Sequence, residues 1–150
     1  MDDYRLSTLE RLYSKYVAYD YLYIDDLSAY RIKSPRGFRR AHGGVCYDYV
    51  VVLADELENA GIPYRCYYTV VHRDDKTIAT HTYIISAKYW LECSWKPREG
   101  LHEGSSFEDV EAELLEYYSG DSSCTVEYDP LDTVGMSLKK FYAHLFGKSV

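Results

Sequence analysis

The sequence predicts an α+β domain, and three observations carry that prediction. An amphipathic stretch closed by a glycine, "YDYVVVLADELENAG", follows a Gly-Gly pair. Three runs rich in aromatic and β-branched residues come next, "YRCYYTVV", "THTYIIS" and "KYWLECSW". Helical periodicity then returns in two shorter segments near the end of the chain. Helices before and after an antiparallel sheet make an α+β arrangement.

Leu6, Leu9, Leu12, Tyr13, Tyr16 and Val17 fall on one helical face, which predicts a first helix over about 5–18, and "STLE" at 7–10 has the spacing of a capping box. "DYLYIDDLSAYRI" reads as irregular chain or a short strand. "SPRGFRR" opens a short helix, with Ser34 as cap and Pro35 at the first helical position. The clearest helix runs from about Tyr47 to Ala60. Tyr47, Val50, Val51, Ala54 and Leu57 form its apolar stripe, and Gly61 stops it as a left-handed cap ahead of Pro63. Of the three strands that follow, "RDDK" turns the chain between the first two and "SAK" between the second and third. A helix over 107–118 is capped by Ser106 with Asp109 and turns Phe107, Val110, Leu114 and Tyr117 inward. "CTVEYD" is a further strand, and Leu138, Phe141, Tyr142 and Leu145 mark a last helix.

The 150 residues, 47% apolar, suffice for one real core and are short for two, and no repeat, low-complexity tract or linker divides them. The expectation is one domain over 1–150 with its core at about 34–145. A net charge of −7 makes general binding to nucleic acid a poor default. "RIKSPRGFRR" is the local exception, with Arg31, Lys33, Arg36, Arg39 and Arg40. It reads as a solvated face, or alternatively as a contact for an acidic partner. No apolar run approaches the ~20 residues of a membrane helix, and the charged N-terminus lacks a signal-peptide core, so a cytoplasmic setting is expected. The four cysteines, Cys46, Cys66, Cys93 and Cys124, would then be thiols. They form no CxxC pair, which disfavours zinc. No cofactor is expected. Tyrosine is abundant, with 18 residues against 4 Phe and 2 Trp, so some tyrosines are expected to line a groove while most replace Phe in the core.

Cys46 stands where the clearest helix begins. Free N–H groups and the helix dipole there favour negative charge and lower a thiol's pKa, and the same N–H groups can hold an oxyanion. Gly43 and Gly44 permit close backbone approach. The alternative is a small apolar residue filling a core. A thiol nucleophile needs a base, and His81, at the start of "HTYIIS", is the best candidate. A four-residue connection, 85–88, would pair Ile84 with Tyr89 and set His81 opposite Glu92, about 5 Å away at the backbone and on the same face. A two-residue turn would put Ser94 opposite His81 but keep Glu92 on that face, and an unbulged three-residue connection would put Cys93 there. Glu92 can then orient the imidazole, as the third member of a triad does. Otherwise His81 is an ordinary strand histidine and Glu92 a carboxylate paired with a surface cation.

The remaining histidines and cysteines carry less. His42 lies close to Cys46 and can line the site or contact substrate. His72 sits by a turn, His102 in a loop near a groove edge, and His144 on the polar side of the last helix. Cys66 and Cys93 read as packing residues.

"GGVCYDYVVVLADELENAGIPYRCYYTV", then "THTYIIS", then "YWLECSW" resembles the transglutaminase-like superfamily, among the papain-like cysteine enzymes, over roughly residues 34–145. More narrowly, Trp90 to Trp95 followed by "REGLHE" at 98–103 is similar to small single-domain bacterial and phage-type members. The resemblance implies a papain-like core with Cys46 as nucleophile, His81 as general base and acid, and Glu92 as orienting carboxylate. Members more often carry Asp at the third position, a few residues later. It also implies Tyr47, Trp90, Trp95 and His42 as substrate contacts. The expected activity is acyl transfer through a thioester on a protein or peptide substrate, as a protease or amidase. Transglutaminase or deamidase activity is the close alternative. A non-catalytic module that binds a host or partner protein is the alternative of another class.

Overall fold

The computed structural model describes residues 3–24 and 28–147. Residues 25–27, inside the stretch read as irregular or short strand, lie outside them.

Helix α1 (Asp3–Tyr16) buries Leu9, Leu12 and Tyr16 completely. It starts before "STLE", so that segment is helix interior and not a capping box. Ser7 and Thr8 donate back to the Tyr4 carbonyl at 3.1 and 2.7 Å, the local bond these side chains make inside helices. Strand β1 (Asp20–Tyr21) is followed by helix α2 (Pro35–Ala41), which Ser34 caps by accepting the Gly37 N–H. Strand β2 (Gly43–Gly44) pairs with β1 in parallel, Asp20 with Gly43 and Tyr21 with Gly44. Both glycines are required by contact. A Cβ on Gly43 would lie 2.2 Å from the Asp20 carbonyl oxygen, and one on Gly44 2.4 Å from Asp48 Oδ2.

Helix α3 (Cys46–Ala60) begins at the cysteine and stops at Gly61, whose φ is 69°. Its stripe, with Tyr49 and Leu53 added, packs against α1, α2 and one face of a five-stranded antiparallel sheet. The sheet contains β3 (Tyr64–His72), β4 (Ile78–Ser86), β5 (Tyr89–Glu92), β6 (Gly100–Glu103) and β7 (Ser122–Tyr128), in spatial order β6-β5-β4-β3-β7. Helix α4 (Phe107–Tyr117) covers the other face with Val110 and Leu114, against Tyr67, Val71, Trp90 and Trp95. Helix α5 (Leu138–Phe146) sets Phe141 against Tyr68 and Val70.

Three expectations need correction. Ser86 pairs with Tyr89, so the β4–β5 connection is the two-residue turn Ala87–Lys88 and not four residues. Both turn residues have positive φ, 50° and 71°, the primed geometry that suits a tight hairpin. His102 lies on β6 rather than in a loop. Tyr117 does not face inward, being half exposed at 49%.

The basic run is a solvated face at Arg31, Arg36 and Arg40, which are exposed, but it also makes contacts within the chain. Arg31 donates to the Gly135 carbonyl, Arg39 pairs with Asp55 and Glu56, and Lys33 lies 3.8 Å from Asp48. Among the described residues, no helix is long and apolar enough to cross a membrane.

Candidate active site

Cys46 is the first residue of α3 and is 6% exposed. Asp48, one turn position on, holds this helix start in place. Its buried carboxylate accepts the N–H groups of Val45 at 2.9 Å and Lys33 at 2.7 Å, together with the Tyr30 hydroxyl. The helix entrance is thereby tied to the chain at 30–33 and closed on its own N-cap backbone.

His81 stands on β4 beyond the pairing with β5, which covers only Ile84–Ser86. The strand edge is therefore uncovered at the imidazole, and the first turn of α3 meets it there. His81 lines one cleft with Cys46, whose thiol is near enough to favour the charged imidazole. Its Nε2 lies 2.6 Å from Glu92 Oε1, which leaves Nδ1 for the thiol. Glu92 does not sit opposite His81, as the four-residue connection would require. It reaches the ring diagonally from the same face, because side chains alternate with a period of two.

Glu92 is 2% exposed and fully bonded. Oε1 accepts the Trp90 indole N–H at 3.2 Å in addition to His81. Oε2 accepts Ser94 N–H at 2.9 Å, Ser94 hydroxyl at 3.0 Å and Trp95 N–H at 3.0 Å. Burial would raise the Glu92 carboxyl pKa, but the His81 charge and these donors hold it below its ordinary value. Burial likewise disfavours a charged His81. The Glu92 carboxylate, hydrogen-bonded to the ring, and the nearby Cys46 thiol outweigh it and push His81 up to about 10.

The expected substrate contacts divide. Trp95 lines a cleft of about 210 Å³ over Cys46 and His81, with its ring edge-on to the imidazole at 5.5 Å. Trp90 is wholly buried and supports Glu92 instead. Tyr47 packs behind the helix start, 3.4 Å from both the Tyr68 and Thr80 hydroxyls, and does not line the cleft. His42 is the left-handed cap of α2, its ring stacked on Tyr19 at 4.1 Å, and it too lies off the cleft.

Sequence reasoning missed Tyr21, Tyr23, Tyr117 and Tyr118 as cleft walls, and Thr80, Ser94, Lys96 and Pro97 beside them. It also missed Asp48, although a lone carboxylate at the third position of an apolar helix is a readable signal. A larger cavity, about 600 Å³, lies at the far end of α3, lined in part by Glu58, Arg65, Cys66 and Glu127. No imidazole lines it, and burial pushes the Cys66 thiol up to about 12. Among the described residues, no three His, Cys, Asp or Glu side chains converge in a group that could hold a metal.

No protein-family model matches the sequence, and neither curated proteins nor solved structures gave a match.

Proposed function

We propose that the protein is a cysteine-dependent acyl-transfer enzyme with a transglutaminase-like, papain-like core, acting on peptide or carboxamide bonds of a protein or peptide substrate. The observation that carries this reading is one imidazole held by a buried carboxylate at 2.6 Å and facing one cleft with a cysteine at a helix start.

The Cys46 thiolate attacks the carbonyl carbon, forming a C–S bond, and the carbonyl oxygen takes the electron pair. The free N–H at the helix start receives that oxyanion. The oxyanion collapses, the C–N bond breaks, and His81 hands its Nδ1 proton to the departing amine. Water then attacks the thioester, with His81 taking one of its protons, and releases the acid and restores the thiolate beside a protonated His81. A protonated His81 at neutral pH is the form this first step requires, and Glu92 maintains it. Hydrolysis is favoured over transfer to a lysine. Among the described residues no carboxylate lines the cleft to attract a cationic amine.

Alkylation by iodoacetamide tests the reading. The expected result is fast labelling of Cys46 at mild pH, slowed strongly by His81→Ala. Cys66 and Cys93 are buried and stay unlabelled, and a Cys124→Ser background removes the one exposed thiol. Slow labelling of Cys46 unaffected by His81→Ala would instead favour the non-catalytic binding module.

A further inference from the structure

Thioester chemistry is served best by two donors where the carbonyl oxygen becomes negative, and the Cys46 N–H is one. The β1–β2 pairing puts Tyr21 beside Gly44, two residues ahead of Cys46. Tyr21 is half-buried in the cleft wall. Its ring stacks on Tyr49 of α3 at 6.4 Å and meets Tyr23 edge-on at 5.2 Å. The Cys46 N–H has no partner within its own helix, and Tyr21 lines the same cleft beside it. Among the described residues the Tyr21 hydroxyl proton has no acceptor of its own. Burial, together with the nearby Cys46, keeps this phenol protonated far above neutrality. The other unspent donor beside the site, Trp95 Nε1, is enclosed and out of reach of a ligand.

We infer that Tyr21 is a catalytic residue whose hydroxyl donates the second hydrogen bond to the oxyanion, an inference that rests on the thioester reading above. When a substrate carbonyl enters, the Cys46 amide and this hydroxyl both donate to its oxygen, and their bonds strengthen as charge develops there. The proton stays on Tyr21 throughout, so the step needs no further acid.

The test compares two reactions of the same thiol in wild type and Tyr21→Phe. p-Nitrophenyl acetate acetylates Cys46, with a C–S bond formed and nitrophenolate expelled through a tetrahedral oxyanion. Iodoacetamide alkylates the same sulfur by displacing iodide, with no oxyanion. Removing one such donor is expected to slow acetylation about 100-fold with little change in half-saturating ester, while alkylation keeps its rate. Phe retains the ring packing, and unchanged alkylation reports an intact site. Unchanged acetylation in Tyr21→Phe overturns the assignment. So does faster acetylation, which would make the hydroxyl a plug, and so does a parallel fall in alkylation, which would place its action on the thiol or the fold. A wild-type protein that alkylates but forms no acetyl-enzyme overturns the thioester reading, and this assignment with it.

Discussion

At the scale of single residues, the buried pair His81–Glu92 decides how the site responds to pH. His81 is raised from 6.5 to about 10, so its contribution to stability is complete below about 6.5 and is lost as pH rises through about 10. Glu92 is lowered from 4.5, so its contribution is present above that value and is lost as pH falls through its depressed one. The pair is therefore worth most between about 4.5 and 6.5. Glu92→Ala strands the imidazole and four further donors, and is expected to destabilise by about 3–5 kcal/mol in that window. Denaturant melts of variant and wild type across pH should show the difference shrinking at both ends. Glu92→Gln removes the charge that holds His81 protonated. It should move the alkaline limb of any Cys46 acylation profile from near 10 down toward 6.5, and an unmoved limb would separate Glu92 from the titration of His81.

At the scale of elements, two short pieces of chain set the geometry, and neither announces itself by composition. The Ala87–Lys88 turn fixes the register that aims Glu92 at His81, yet it lacks the Asn-Gly or Asp-Gly signature of its class. Composition therefore favours a four-residue connection, and alternation alone keeps Glu92 on the correct face. Non-glycine residues at positive φ are strained, so Asn at 87 with Gly at 88 should raise stability by about 1 kcal/mol in total. A higher Tm with unchanged Cys46 alkylation is the expected result. The second piece is β2. Ala at Gly43 would push against backbone, which cannot yield as a side-chain tip does. Gly43→Ala is expected to part β1 from β2, lower the Tm, and displace Tyr21 from the cleft wall. Its acetylation by p-nitrophenyl acetate should fall further than its alkylation by iodoacetamide.

For the molecule as a whole, what could be read from the chain was local, and what could not was brought together by distant contacts. The Cys46 helix, its Gly61 stop and the strand bearing His81 rest on periodicity and caps, which lie within a few residues of one another. Tyr21 reaches the site only through its pairing with Gly44, Asp48 acts on residues 30–33, and the tyrosine walls come from chain segments about a hundred residues apart. Two apolar layers meet at this site. Cys46 is carried by the layer under α3, whereas His81, Glu92 and Trp95 stand on the face that α4 covers. The layers should therefore differ in how they transmit damage. Leu57 and Leu114 are both essentially unexposed, and Ala at either is expected to cost about 2–5 kcal/mol. Leu57 lies eleven positions along α3 from Cys46, about 16 Å at the helical rise, so its cavity should leave alkylation of the folded protein unchanged. Leu114 shares its cluster with Trp95, whose ring meets His81 edge-on and whose N–H bonds Glu92. Leu114→Ala should let that ring shift, slow Cys46 alkylation several-fold and weaken its dependence on His81. Equal alkylation by the two variants under conditions where both are folded would mean that the α4 layer holds the sheet together without positioning the imidazole.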